Sequence, residues 1–508
     1  MMAAMQNPEN SLIELLAGFD TVEPVPQVEI DGVSIDSREV STGSLFIALR
    51  GINTNGIDYA REAVEAGAVA VLYDAGDAHA CQRISWLRKQ VSSRWIGVFD
   101  LAEVHGLIVA RVFGLPAQSM TIVGVTGTDG KSSVTHLLVQ ALTRLGRISA
   151  SIGTLGYGVG NQLSPDSLTT PDAVALQSRL HEFSQQQCEY VIMEVSSHAL
   201  EQHRVAGCDF DIAVLTNLGR DHLDYHQSIE SYAAAKEKLF TRFDLSARIV
   251  NADDAFGQRI AAEAEAESLY RYSTSLTADP QAEIRLIAVE RTASGQNIRM
   301  LTPVGEVVAR TALIGHFNVH NTLACVATLV ALGLSPDQLE YAVSDLRPIP
   351  GRMELFVGDA EQPTALIDFA HTEQALRACL EACRAHTQGR IWCVFGCGGD
   401  RDPGKRSGMG RAVEELADRV IVTDDNPRHE SPQAIVADIL MGMRAPEQAS
   451  VVHSRKAAIQ YALAEAVAGD LVVISGKGHE QFQIVGHEQR PFSDRHIVAE
   501  MLQFGSDD

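Results

Sequence analysis

Positive charge is in short supply. Of 508 residues, 41 are Lys or Arg against 65 Asp or Glu, a formal net charge of −24. No basic stripe offsets that field, so nucleic acid is not an expected partner. An anionic ligand has to be met locally, by single arginines or lysines, backbone amides or a metal ion. Cysteine is scarce as well. Eight residues do not make a disulfide framework in a chain this long. Cys379 and Cys383 sit four apart in a helical pattern, and Cys393 and Cys397 four apart across a strand end. A zinc site is conceivable there, but the spacing is not that of a common zinc motif, and buried free thiols are expected. No apolar run is long enough to cross a bilayer. The opening MMAAMQNPENS lacks the basic region of a secretory leader. A cytoplasmic, reducing location without membrane insertion is expected. Repeats and low-complexity tracts are absent too.

What is present is ordinary globular composition, 45% hydrophobic and 21% charged. The length calls for roughly two to four domains. Short apolar runs alternate with helical patterns nearly throughout, which predicts α/β architecture with mostly parallel sheets. Strands are expected at Thr121–Val125, Tyr190–Val195, Ile212–Leu215, Ala365–Phe369, Ile391–Phe395, Val420–Thr423 and Leu471–Ser475. Several run straight into polar or glycine-rich stretches, where ligands of open α/β sheets bind. GLPAQSM (Gly114–Met120) and LRPIPGRME (Leu346–Glu354) read as boundaries. They give three domains: 1–115, 116–347 and 348–508.

The most informative segment is TIVGVTGTDGKSSVTHLLVQALTRLG. A strand leads into a loop containing Gly124, Gly127 and Gly130. Lys131, Ser132 and Ser133 follow, and a helix then carries Val134, Leu137, Leu138, Ala141, Leu142 and Leu145 on one face. Glycines let backbone amides approach phosphate oxygens, and the helix N-terminus adds partial positive charge. Lys131 can reach the terminal phosphates and Ser132 can ligate Mg²⁺. The strict phosphate-loop pattern wants glycine where Val125 stands, so the match is imperfect.

Two further strand ends carry acids and histidines: MEVSSHALEQHRV (Met193–Val205) and TNLGRDHLDYH (Thr216–His226). Glu194 lies where a Mg²⁺ ligand is wanted, and one or two carboxylates suffice for that ion. By spacing alone, His198, His203, His222 and His226 are each more often solvated or capping residues than metal ligands. DDNPRHE (Asp424–Glu430) ends another apolar run with a rigid proline and a lone arginine among acids. It reads either as a surface turn or as a pocket that grips a carboxylate.

Taken together, GTDGKSS, EVSSHAL, TNLGRDHLDYH, YAAAKEKLF, GHFNVHN, GRME, DFAHT and GCGGDRD resemble the Mur ligase family, in order and over nearly the whole chain. That resemblance implies a central ATP-binding ligase domain with a mostly parallel sheet, a Rossmann-like C-terminal domain and a smaller N-terminal α/β domain that binds uridine diphosphate. It implies ATP as co-substrate, Mg²⁺ as cofactor, and a monomer. Gly127, Thr128, Asp129, Gly130, Lys131, Ser132 and Ser133 would hold ATP, with Asn318, Asn321, Arg352 and Asp368. Ser132, Glu194 and His222 would ligate Mg²⁺. Lys131 and His222 would be catalytic, as would Lys236, which matches the lysine that the family carbamylates to N6-carboxylysine. Two departures stand out. The family's loop usually reads GTNGKT, so Asp129 and Ser132 are changes. Glu373 replaces a common proline.

SIDSREVSTGSLFIALRGINTNG (Ser34–Gly56) resembles the nucleotide-sugar stretch of the branch that adds the third peptide residue. An ordinary hairpin is the alternative for this segment. The resemblance places Ile35, Ser37, Ile52, Asn53 and Thr54 against UDP-N-acetylmuramoyl-L-alanyl-D-glutamate, together with Thr169, Thr170, Ser196, Gln202 and Arg204. In that branch the segment matching DNPR selects the incoming amino acid. Asp425, Asn426, Pro427 and Arg428, with Arg401, Gly476 and Glu480, would then bind meso-diaminopimelate. A guanidinium can fork onto its distal carboxylate, whereas lysine offers none and brings a repelled ammonium. The implied activity is ATP-dependent amide formation through an acyl phosphate. A lysine-adding relative, a folylpolyglutamate synthase-like ligase and a nucleotide-dependent switch that ligates nothing are the competing readings.

Overall fold

The computed structural model describes residues 10–51, 54–275, 281–292 and 294–502. It falls into two compact units, Met1–Arg271 and Tyr272–Asp508. Among the described residues no helix is long and apolar enough to cross a membrane.

The first unit opens with a parallel sheet of β1 (Gly32–Ser34), β2 (Ser44–Ala48), β3 (Ala70–Asp74) and β4 (Arg94–Val98), in that order. Successive side chains of a strand point to opposite faces. Leu45 and Ile47 of β2 therefore join one core with Leu12, Ile30 and Ile108, while Phe46 and Ala48 join another with Ile57, Ala60 and Ile84. Both faces are covered, as parallel sheets require. The strands β1 and β2 run parallel, with Gly32 opposite Ser44, so the Ser34–Gly56 stretch is no hairpin.

The second sheet of this unit contains β5 (Thr121–Thr126), β6 (Ser149–Gly153), β7 (Gly156–Val159), β8 (Gln162–Ser164), β9 (Tyr190–Glu194), β10 (Ile212–Leu215) and β11 (Ala247–Asn251). Their order is β11-β10-β5-β9-β6-β7-β8. It is parallel from β11 to β6 and antiparallel beyond. The register decides the chemistry. Val125 pairs with Glu194, and Thr126 with Leu215. The three strand ends that emit the phosphate loop, Glu194 and Thr216 are thus neighbours.

The second unit takes Tyr272 and Ser273 of β12 (Leu269–Ser273) into parallel pairing with β13 (Ile284–Thr292). An antiparallel meander of β13, β14 (Gly295–Thr302) and β15 (Gly305–Thr311) follows. Next comes the helix His316–Ala331, buried on nearly every side from Asn318 onward. The final sheet contains β16 (Glu354–Val357), β17 (Thr364–Asp368), β18 (Ile391–Phe395), β19 (Arg419–Val422), β20 (Ser450–Val451) and β21 (Leu471–Ser475). Its order is β16-β17-β21-β18-β19-β20, with only the edge strand β16 antiparallel. A hairpin of β22 (Phe482–Val485) and β23 (Glu488–Pro491) stands apart from it.

All seven expected strands are present to within one residue at each end. Glu373 is the first residue of the helix Glu373–His386, behind an N-cap from Thr372. Proline and an acid both suit that position. Cys379, Cys383, Cys393 and Cys397 are buried free thiols. Among the described residues no group of three or more His, Cys, Asp or Glu could hold a metal ion on its own.

Candidate active site

The phosphate loop is shaped by two glycines. Gly127 has φ 150° and Gly130 φ 83°, both unfavourable for a side chain. A methyl group on Gly127 would stand 1.8 Å from Thr216 Oγ1. Val125, where the strict pattern wants glycine, is instead a fully buried core residue of β5. The loop is pinned from the neighbouring strand end. Thr216 Oγ1 donates to Asp129 O (2.6 Å), the Asp129 amide to Asn217 Oδ1 (3.0 Å) and the Gly219 amide to Thr128 Oγ1 (2.8 Å). Ser132 and Ser133 lie in the first turn of the helix Lys131–Arg144. Lys131 folds back over the loop, its Nζ donating to Gly127 O (3.0 Å) and Thr128 O (2.9 Å).

A second lysine converges on the same carbonyl. Lys236, on the helix Ile229–Thr241, is only 1% exposed. Its Nζ donates to Gly127 O at 2.8 Å and lies 4.4 Å from the Tyr232 ring centre. Burial lowers its pKa to about 6, and the neighbouring charge of Lys131 pushes the same way against Asp221 and Asp129. Burial lowers Lys131 as well, opposed by Glu194, Asp129 and Asp221. Read from sequence alone, Lys236 is a helix-surface lysine, and its burial corrects that.

Glu194 is 1% exposed. Its carboxylate accepts from the Thr154 amide (2.9 Å) and Thr154 Oγ1 (3.1 Å). Gly153 makes room, since a methyl group there would stand 2.3 Å from Glu194 Oε1. Among the described residues no salt bridge neutralises this buried acid. A carboxylate so placed calls for a cation. Ser132 lies in the first turn of the helix that follows β5, and β5 pairs with the strand end that carries Glu194. A hydroxyl and a carboxylate, with an imidazole at His222, are donors that fit Mg²⁺. His222 has φ 52°. Its ring packs 4.9 Å from that of His198 and 6.1 Å from that of Tyr232. His226 is buried, with Nε2 2.9 Å from Ser197 Oγ.

The residues expected to hold the muramoyl peptide form one network beside Glu194. Thr169 Oγ1 lies 3.0 Å from Thr154 Oγ1, and Thr170 Oγ1 donates to Glu194 O (2.8 Å) and accepts from the Ser196 amide (3.0 Å). Arg204 donates to Thr170 O (3.1 Å) and through Nε to Gln202 Oε1 (3.0 Å), while Gln202 donates to the Tyr225 hydroxyl (3.0 Å). Ile35 packs partly buried on the N-terminal core, and Ser37 starts a short helical turn capped by Asp36. Thr54 closes a turn by accepting from the Gly51 amide (2.8 Å). Ile52 and Asn53 lie outside the described residues.

In the second unit, Asn318 and Asn321 are buried and bonded to each other (3.0 Å), with Asn318 Nδ2 also on Ile314 O (2.9 Å). Arg352 lies over the Phe369 ring (4.6 Å). Asp368 accepts from the Met353 and Ala370 amides, 3.0 Å each, and burial raises its pKa. These four split into two local groups.

DNPR is not a surface turn. Asp425, Asn426 and Pro427 are buried and Arg428 is half-buried. Arg428 has φ 51° and donates through Nη1 to Gly399 O (2.8 Å). Its backbone is bracketed by β22: the Arg428 amide donates to Ile484 O (3.1 Å) and the Gly486 amide to Arg428 O (2.7 Å). Gly476, at φ 119°, is required, because a methyl group there would stand 2.6 Å from Asp425 Oδ2. Glu480 is already engaged, its Oε2 accepting from Lys477 Nζ (2.6 Å) and Asn426 Nδ2 (3.0 Å). Arg401 is exposed on the loop beside Gly399. Thr154, Tyr232 and Lys477 were not singled out by sequence. Lys477 alone had a signal, as the lysine between two glycines that follow the strand Leu471–Ser475.

The Mur ligase middle domain profile matches residues 125–329, that of the Mur ligase, glutamate ligase domain 351–478, and that of the Mur ligase family, catalytic domain 29–112. A Chromobacterium violaceum protein named UDP-N-acetylmuramoyl-L-alanyl-D-glutamate–2,6-diaminopimelate ligase is 44% identical over 93% of this chain and 94% of its own. The Pseudomonas aeruginosa protein of the same name is 41% identical over 92% and 95%. A solved structure of that name covers 97% of this chain and 98% of its own, at 33% identity and TM-score 0.76. Mycobacterium tuberculosis folylpolyglutamate synthase, at 19% identity and TM-score 0.58 over 78% of this chain, shares the fold. The chain belongs to the Mur ligase family.

Proposed function

We propose that this chain joins meso-diaminopimelate to UDP-N-acetylmuramoyl-L-alanyl-D-glutamate at the expense of ATP, in peptidoglycan precursor synthesis. The observation that carries the reading is Arg428, half-buried in a polar turn, whose Nη1 is bound to Gly399 O while Nε and Nη2 have no partner among the described residues and can fork onto a carboxylate. The names of relatives 41–44% identical over most of the chain support it. The substrate's γ-carboxylate attacks the γ-phosphate of ATP and expels ADP, giving an acyl phosphate. The amine of diaminopimelate then attacks the acyl carbon and phosphate leaves.

In this reading Lys131 and the amides after Gly127 carry the β- and γ-phosphates and screen their repulsion of the carboxylate. Positioning and charge stabilisation supply most of the rate. Ser132, Glu194 and His222 would hold Mg²⁺, which supplies electrostatic neutralisation of the phosphates. Lys236, neutral at physiological pH because it is buried, is a competent nucleophile for CO₂. Its carbamate would be an anion beside the phosphate loop. Arg204, Thr169 and Thr170 would position the muramoyl peptide. Division into domains at 1–115, 116–347 and 348–508, a monomeric state and a cytoplasmic location, where ATP and nucleotide sugars reside, belong to the same proposal. The test is phosphate release with the UDP-muramoyl dipeptide, ATP and a panel of amino acids. Release should require both the dipeptide and diaminopimelate. Equal use of lysine, or ATP hydrolysis without either substrate, would refute it.

A further inference from the structure

Lys477 stands at zero exposure between two turns of the second unit. A fully buried ammonium costs several kcal/mol unless it is well paired. Here it is paired by two side chains expected to meet the amino acid: Glu480 Oε2 at 2.6 Å and Asn426 Oδ1 at 3.1 Å. Asn426 Nδ2 closes the triangle by donating to the same Glu480 oxygen at 3.0 Å. Gly476 (φ 119°) and Gly478 (φ 53°) flank the lysine and turn the chain on either side of it.

The backbone does not need this lysine. Gln483 Nε2 donates to Asp425 O (2.6 Å), Ile484 N to Asn426 Oδ1 (2.9 Å), and the Arg428 amide to Ile484 O (3.1 Å). Those bonds hold the Asp425–Arg428 turn whether or not Lys477 is charged. What Lys477 adds is side-chain orientation and a positive charge against Glu480. With Oε2 taken by two donors, Oε1 is the Glu480 oxygen left for a ligand.

We propose that Lys477 is a positioning residue for the amino-acid substrate, locking Asn426 and Glu480 so that one carboxylate oxygen meets the incoming ammonium. The inference rests on the diaminopimelate reading above. Truncating one partner of a buried, hydrogen-bonded charge pair typically costs enough to weaken binding about 30-fold or more. Lys477→Met should therefore raise KM for diaminopimelate by about 30-fold or more while KM for ATP stays unchanged. A double-mutant cycle with Glu480→Gln gives the mechanism: if Lys477 acts through Glu480, the double variant is no worse than the worse single one. If Lys477→Met fails to fold, Lys477→Gln, which keeps hydrogen-bond donors without the charge, is read in the same way. Wild-type KM in the variant, or strictly additive losses in the cycle, overturns the inference and leaves the diaminopimelate reading intact. A wild-type enzyme that makes no product with diaminopimelate removes both.

Discussion

Replacing Lys236 with methionine should stabilise the protein while abolishing turnover. The lysine is neutral in the folded state because burial lowers its pKa to about 6, against about 10.4 in an unfolded chain. At pH 7.5 that difference costs about 4 kcal/mol, at 1.4 kcal/mol per pH unit. Methionine loses the bond to Gly127 O, worth about 1 kcal/mol, and the N–H···π contact of the neutral amine with Tyr232, worth about 0.5–1 kcal/mol. Gly127 O is not orphaned, since Lys131 Nζ still donates to it at 3.0 Å. The net gain is about 2 kcal/mol at pH 7.5. The sign with pH follows from proton binding. Between about pH 6 and 10.4 the unfolded lysine holds a proton that the folded one lacks, so wild-type stability rises with pH. The variant has no such dependence. Its advantage is largest below about pH 6 and closes near pH ~9, where the protonation cost has fallen to the about 2 kcal/mol of lost contacts. Urea unfolding in CO₂-free buffer across that range measures it, and added bicarbonate should narrow the gap by trapping the folded amine as carbamate. A variant less stable than wild type at pH 7.5, or an advantage independent of pH, would refute the buried neutral amine.

Arg428→Ala should raise KM for diaminopimelate by a factor of roughly 30 to several thousand, the range for a desolvated charge pair, with ATP kinetics unchanged. Gly127→Ala should abolish nucleotide binding in a calorimetric titration, because the new methyl group would stand 1.8 Å from Thr216 Oγ1. Asp494→Asn should cost about 3–5 kcal/mol in urea unfolding, since it strips the partner from Arg455, both side chains being wholly buried at 2.7 Å. The uncharged pair Arg455→Met with Asp494→Leu should recover most of that loss. Lys236→Ala should lose turnover and regain part of it with a short-chain carboxylate, measured as phosphate release.

The parallel core was legible because its strands are continuous apolar runs ending in glycine or acid. The meander of β13 to β15 and the β22–β23 hairpin were not, because their strands are half-exposed and mix charge with apolar residues. Glycine and lysine in the phosphate loop declared themselves by spacing. Lys236 did not, since nothing local in AAAKEK distinguishes a lysine that tertiary packing buries from one that faces water. Lys477 and Thr154 act through partners three and forty positions away, Glu480 and Glu194. Only the fold makes those pairs.

The main chain of Arg428 is tied to the hairpin on both sides, at Ile484 O and the Gly486 amide, through groups that every residue except proline possesses. The scaffold therefore grips position 428 without regard to what it carries. Exchanging the side chain swaps the recognition element and leaves its mount in place. The left-handed φ of 51° narrows the menu toward asparagine, aspartate and glycine, which enter that region most easily. Retuning this protein toward a different diamino acid should begin at that one socket.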